Sequence, residues 1–148
     1  MRGLSREQLN KILSSHVLWL GIDGLDGRPA DLSYTDLRNL DLHDVNLRVA
    51  ILCGVDLGFA CLRDAVLIGV DLFDADLRGA SLRGANLCGA MLCRANLYGA
   101  NFQGANLQGA DFQGANLQGA DFWGADFRGA KIAFPVRNLY RCPGIYRY

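Results

Sequence analysis

From Ala30 onward the hydrophobic and polar positions recur every five residues. Read in register, Ala75-Asp76-Leu77-Arg78-Gly79, Ala80-Ser81-Leu82-Arg83-Gly84 and their successors to Ala125-Asp126-Phe127-Arg128-Gly129 follow one formula: small, polar, Leu or Phe, variable, Gly. The register runs without insertion from Leu32 to Ile132, and each of its 21 central positions is Leu, Phe or Ile. A period of five fits neither the 3.6 of a helix nor the 2 of a strand, so neither element could keep Leu37, Leu42, Leu47 and Leu52 on one side for long. A coil that turns a corner at each repeat could. Gly in the fifth place supplies the permissive backbone of that corner, and Ala two residues before the centre is small enough to share a narrow interior with Leu. The positions just before and just after each centre are mostly Asp, Asn, Arg and Gln, the signature of a solvated face. The early repeats depart from the formula. Thr35, Leu40, Val45, Val55 and Val70 replace Ala, and Tyr34, Asn39, Asp44, Val49, Phe59, Asp64, Asp74 and Arg94 replace Gly. Less uniform corners are expected there.

The flanks obey other rules. Ser5 followed by Gln8 is a capping-box signature, and Leu9, Ile12, Leu13, His16, Val17 and Leu20 recur at helical spacing, which predicts an amphipathic helix over residues 5–20. An open solenoid end needs a cover, so this helix is expected to plug the first coil, with Trp19 helping. Gly21, Gly24, Gly27 and Pro29 then mark a loop. The chain thus divides into a capping helix and loop (1–29), the repeats (30–134) and a tail (135–148). That tail carries Tyr140, Ile145, Tyr146 and Tyr148 among three arginines. Arg interleaved with Tyr can bind nucleic acid, but so short a segment more readily covers the last coil or joins two chains.

Composition narrows the choice of function. Over 148 residues, 15 Lys and Arg balance 15 Asp and Glu, leaving no net field to draw a nucleic acid or an anionic membrane to the whole chain. The first residues lack an apolar run of signal-peptide length and no stretch approaches a membrane-spanning helix, so a cytoplasmic location is expected. Cys53, Cys61, Cys88, Cys93 and Cys142 form an odd set without CxxC pairs, which favours reduced thiols over a disulfide framework or a zinc ribbon.

No residue set announces a reaction. His16 and His43 are the only histidines and neither has a second ligand at metal spacing, Glu7 is the only glutamate, and the serines Ser5, Ser14, Ser15, Ser33 and Ser81 have no base and orienting group with which to form a triad. A phosphate-binding GxxxxGK[ST] loop is absent, and so is the glycine spacing of calcium-binding β-rolls. The expectation is no catalytic residue, no metal and no cofactor.

The A(D/N)LxG formula over residues 30–134 resembles the pentapeptide-repeat family, which is mainly bacterial. That resemblance implies an all-β solenoid, a right-handed quadrilateral β-helix with four pentapeptides per coil and the central residue and Ala stacked inside. About five coils at ~4.8 Å each would make a rod on the order of 25 Å long. A tube so filled leaves no room for a substrate pocket. Folding the sequence onto four walls stacks residues twenty apart. Asp36, Asp56 and Asp76 then stand in file with Arg38 and Arg78 to neutralise them, a weak cation site being the alternative, and His43, Arg63, Arg83 and Gln103 file along the next wall. Ile51, Cys53, Phe73, Met91 and Cys93 face outward on one wall and Val66, Ile68 and Cys88 on the wall that joins it. Polar residues such as Asn106, Gln108, Asp111 and Gln113 hold the same places in the last coils. An apolar patch of this kind marks an interface. The expected function is a non-catalytic structural or protein-interaction module, with a protein partner or a second copy at this patch or at the tail, and neither a membrane nor a small-molecule substrate. The alternative implied by the resemblance is a DNA-mimicking modulator of DNA gyrase, as in quinolone-resistance members. Residues 30–134 hold 12 Asp against 8 Arg and Lys, a net −4 that is thin beside a duplex with one charge per ~1.7 Å.

Overall fold

A computed structural model describes residues 1–21 and 28–132. Its element order is β1 (Arg2–Gly3), α1 (Arg6–Gly21) and β2 (Thr35–Asp36), with β1 pairing parallel to β2 through Arg2 opposite Thr35 and Gly3 opposite Asp36. The rest of the described repeat region is built from single parallel bridges between residues twenty apart, from Asp31 with Ile51 to Asp111 with Lys131. The chain is therefore a β-helix whose strands have shrunk to one bridged residue per pentapeptide.

Why the five-residue formula yields this coil follows from where each N–H goes, because a folded chain leaves few backbone donors without a partner. In the repeat around Leu62 and its neighbours, the central N–H bonds to the carbonyl of Ser81 (2.7 Å) and the corner N–H of Asp64 to that of Arg83 (2.9 Å), both in the next coil. The N–H of Ala65 turns back to Leu62 (3.3 Å), and that of Val66 reaches the previous coil at Val45 (2.9 Å). The fifth N–H, one residue past the centre, has no backbone acceptor. Where an Asp or Asn precedes the centre, its Oδ1 accepts that N–H, as Asp71 does from Phe73 (3.0 Å), Asn86 from Cys88 (3.2 Å) and Asp121 from Trp123 (3.0 Å). This Asx turn is the physical reason that Asp and Asn dominate the position.

The interior is the stack foreseen from the sequence: the central leucines from Leu47 to Leu107 are all but fully buried, as is Phe102, and the small residues from Ala50 to Ala110 fill the spaces between them. Toward the C-terminal end phenylalanines take over, and Phe102, Phe112, Phe122 and Phe127 interlock at ring-centroid separations of 4.9 to 6.5 Å.

The corners correct an expectation. All eight residues that stand in place of Gly hold the same left-handed conformation, with φ from 52° at Val49 to 61° at Arg94, against 59° to 72° for the corner glycines. Corner geometry is therefore uniform, because the hydrogen bonds of the adjoining coil fix it whatever the residue. Asn and Asp tolerate this region, but for Val49 it is a strained place.

Helix α1 begins with the reciprocal capping box, the Gln8 N–H donating to Ser5 Oγ (3.2 Å) and the Ser5 N–H to Gln8 Oε1 (2.9 Å). It starts and ends one residue later than the pattern predicts. Leu9 enters the core, and Leu4, Ile12 and Leu13 pack against it. His16 is fully buried, its ring stacked on Trp19 at 5.9 Å, and its Nδ1 accepts the N–H of Ala30 (3.0 Å). An accepting Nδ1 requires the neutral ring to carry its proton on Nε2. Burial lowers the His16 pKa, and the backbone carbonyl of Arg48 only partly offsets this. As pH falls below about 6.5 the unfolded chain takes up a proton that the folded one refuses, so this contribution to stability is full above that pH and lost below it. Helix α1 is expected to loosen from the coil as pH falls below about 6.5, seen as lower amide protection factors at Leu9 and His16. His16→Gln should flatten that response. The exposed His43, raised by its hydrogen bond to Asp41, contributes in the opposite direction, its stabilisation fading as pH rises through its folded pKa.

Candidate interaction surfaces

The outward residues of the patch fall on two adjoining walls, and the hydrogen bonds place them in files. Ile51, Asp71 and Met91 bridge in succession, Cys53, Phe73 and Cys93 follow on the same wall, and Val66 with Asn86 and Ile68 with Cys88 occupy the wall before it. Val49 stands at the corner the two walls share, its N–H bonded to the carbonyl of Ile68 (2.8 Å). Four apolar side chains meet water there: Val49 (41% exposed), Ile51 (37%), Phe73 (42%) and Met91 (46%). Val66, Ile68, Cys53, Cys88 and Cys93 are half-buried beside them. The pattern of Gly replacement flagged Val49 as an irregular corner, but only the structure makes it the hinge of the patch. Tyr34, 66% exposed, was likewise read only as a missing Gly.

The patch is less purely apolar than its sequence suggests. Asp71 divides Ile51 from Met91, and Arg94 lies over the Phe73 ring at 5.4 Å while pairing with Asp74 at 3.3 Å. Two of its thiols act as polar groups. Cys93 Sγ donates to the Asp111 carbonyl at 3.9 Å. Burial, and then the Asp71 carboxylate it faces, push the Cys53 thiol up to about 11, so it is protonated and a poor nucleophile at neutral pH. Cys53, Cys61, Cys88 and Cys93 are all free. The tail candidates Tyr140, Ile145, Tyr146 and Tyr148 lie outside the described residues.

On the neighbouring wall two arginines answer three carboxylates. Asp36, Asp56 and Asp76 stand in file, and Arg38 answers two of them, at 2.7 Å from Asp36 and 3.4 Å from Asp56, while Arg78 meets Asp76 at 2.6 Å. The hydrogen bonds from Arg38 hold the Asp36 carboxyl down to about 2. On the following wall His43 donates to Asp41 and lies 3.9 Å from Asp44. Among the described residues no three His, Cys, Asp or Glu side chains gather as a metal would need. A cleft of about 540 Å³ does open, between α1 and the first coil, lined by Leu4, Lys11, Ile12, Arg28 and Pro29 among others. It lies outside the tube, in a place that no repeat or motif marks.

Comparison with known proteins agrees with this architecture. The family model described as pentapeptide repeats matches in eight copies, at residues 30–69, 71–109 and 95–132. None of the curated proteins compared with the chain matches it. Among solved structures, the chain is similar to Rfr23, a pentapeptide-repeat protein from the cyanobacterium Cyanothece 51142, at 33% identity and a TM-score of 0.55, over 74% of this chain and 69% of that one. A pentapeptide-repeat protein of the Arabidopsis thaliana thylakoid lumen matches at 35% identity and a TM-score of 0.44, over 73% and 69%. QnrB1, a plasmid-mediated fluoroquinolone resistance protein, matches at 24% identity and a TM-score of 0.30, over 70% and 60%.

Proposed function

We propose a role for this chain from the premise that it belongs to the pentapeptide-repeat family, whose fold is a right-handed β-helix: it is a non-catalytic protein-interaction module that binds a partner protein or a second copy through the apolar corner of two walls. The shape we assign it is a four-sided rod of about five coils (residues 30–134), covered at one end by residues 1–29 and continued by a tail, 135–148, that serves as a cap or second contact. We place it in the cytoplasm; no described helix is long and apolar enough to cross a membrane. The observation that carries the reading is the exposure of Val49, Ile51, Phe73 and Met91 around one corner, while Asp111, Gln113 and Lys131 occupy the corresponding outward places of Ile51, Phe73 and Met91 further along the rod. Apolar side chains clustered on a rigid lattice gain most by being covered, at roughly 25 cal/mol per Å² removed from water.

The test is molar mass by light scattering in reducing buffer, with capture of a binding protein from cell extract for whatever remains monomeric. Ile68→Asp and Phe73→Asp should each weaken self-association or capture at least tenfold, with the circular dichroism of the rod unchanged, because each would bury an unpaired carboxylate. Normal association by both variants would rule the corner out. The DNA-mimic reading calls instead for inhibition of gyrase supercoiling at low protein concentration. Asp36, Asp76 and Asp126 each tied to an arginine leave a poor imitation of a phosphate backbone.

A further inference from the structure

The missing side chains of one wall define a site. Three times among the described repeats an Asp is followed two residues later by an Arg, and each time the carboxylate is held in the same way. At Asp36 the N–H and Nε of Arg38 donate to Oδ1 (3.1 and 3.0 Å) and Nη2 to Oδ2 (2.7 Å). Asp76 with Arg78 and Asp126 with Arg128 repeat the pattern. At Arg63 and Arg83 the arginine is present but the acid is not, since Cys61 and Ser81 precede them. Cys61 and Ser81 are bridged to each other, so the two vacant places lie one coil apart, about 4.8 Å, on the same wall. Both arginines are exposed and neither is paired with a carboxylate among the described residues. The carboxylates at the adjoining corner are otherwise placed: Asp44 lies toward His43 and Asp64 folds across Gly84.

We propose that the wall bearing Arg63 and Arg83 binds an acidic, extended segment of a partner protein, two of whose carboxylates take the places that Asp36, Asp76 and Asp126 occupy beside their own arginines. Each vacancy offers a backbone N–H without an Asx cap and a guanidinium fork, the donor set that receives a carboxylate bidentately elsewhere on the rod. Glutamates at alternate positions of an extended strand stand about 6.8 Å apart on one side, and the long side chains of both partners absorb the difference from the coil spacing. Phe59, 69% exposed at the corner that opens this wall, is available to the stem of a bound residue. The site shares no residue with the apolar corner, so either can fail without the other.

The probe is a blocked hexapeptide of alternating Glu and Ser, titrated into the full-length 15N-labelled protein and followed by amide shifts. The amides of Arg63 and Arg83 should move together, and the same peptide with Gln in place of Glu should bind at least tenfold more weakly. Ser81→Asp, which supplies the missing acid in place, should weaken binding at least tenfold while leaving the core amides where they are, and Arg83→Gln should do the same by removing the fork. Shifts confined to other walls, or unchanged binding by Ser81→Asp and Arg83→Gln, would overturn the proposal. So would inorganic phosphate displacing the peptide at lower concentration than the peptide itself requires, since the site would then be one for phosphate.

Discussion

Phe102→Ala is expected to lower the unfolding free energy by about 3–5 kcal/mol, the largest effect of any single truncation in the rod. Phe102 is fully buried, stacks on Phe122 at 4.9 Å with the rings 17° from parallel, and meets Phe112 edge-on at 6.5 Å. The cost of a truncation depends on how far the surroundings can close the hole. Here they can close little, because the bridges from Ser81 to Asn101 and from Asn101 to Asp121 fix the spacing of the coils above and below. Phe102→Leu restores the residue found at most central positions and should cost far less. Phe127→Ala, on the last described coil, should fall between the two. Urea unfolding of the three variants gives the order. A loss under about 1 kcal/mol for Phe102→Ala would mean that the tube collapses around the hole and that its walls are not rigid.

How much could be read beforehand depends on whether a signal lay in the repeat or in its exceptions. The period of five identified the buried positions outright, because a residue such as Leu77 sits in register with twenty others and all must point inward together. The helix was legible for a similar reason: Ser5 and Gln8 cap it through purely local bonds. His16 was legible only as an apolar-face residue. That its Nδ1 serves the N–H of Ala30 depends on where a loop returns the chain, which no local pattern encodes. The candidate patch was found because wall positions follow from counting by twenty, but its polar content was hidden. Cys53 and Cys93 look apolar by type, and only the adjacent coil shows the Asp71 carboxylate and the Asp111 carbonyl that they face. The corners were misjudged through an assumption about cause. Gly was taken to create the turn, whereas Tyr34, Val49 and Phe59 make the same turn under the constraint of their neighbours' hydrogen bonds.

If the coil imposes the corner, Gly still has a second use where a larger corner side chain lies over it. At Gly79 (φ 63°) an added Cβ would come within 2.5 Å of the Phe59 ring, which rests on that glycine from the coil before. Gly79→Ala should therefore cost more than the roughly 1–2 kcal/mol of a left-handed L-residue, because the ring must also leave its seat. Gly99, with φ 65° and open space around its Cβ position, is the internal control: Gly99→Ala should show the conformational part alone. The comparison separates two contributions that one substitution confounds. Phe59→Gly removes the ring, so in that background Gly79→Ala should fall to the cost of Gly99→Ala, with a coupling of about 1 kcal/mol or more between Phe59 and Gly79. Measured by urea unfolding, equal losses for Gly79→Ala and Gly99→Ala would show that the ring swings aside freely. The glycine at 79 would then be there for its backbone alone, and Phe59 would be free to turn outward toward the wall of Arg63 and Arg83.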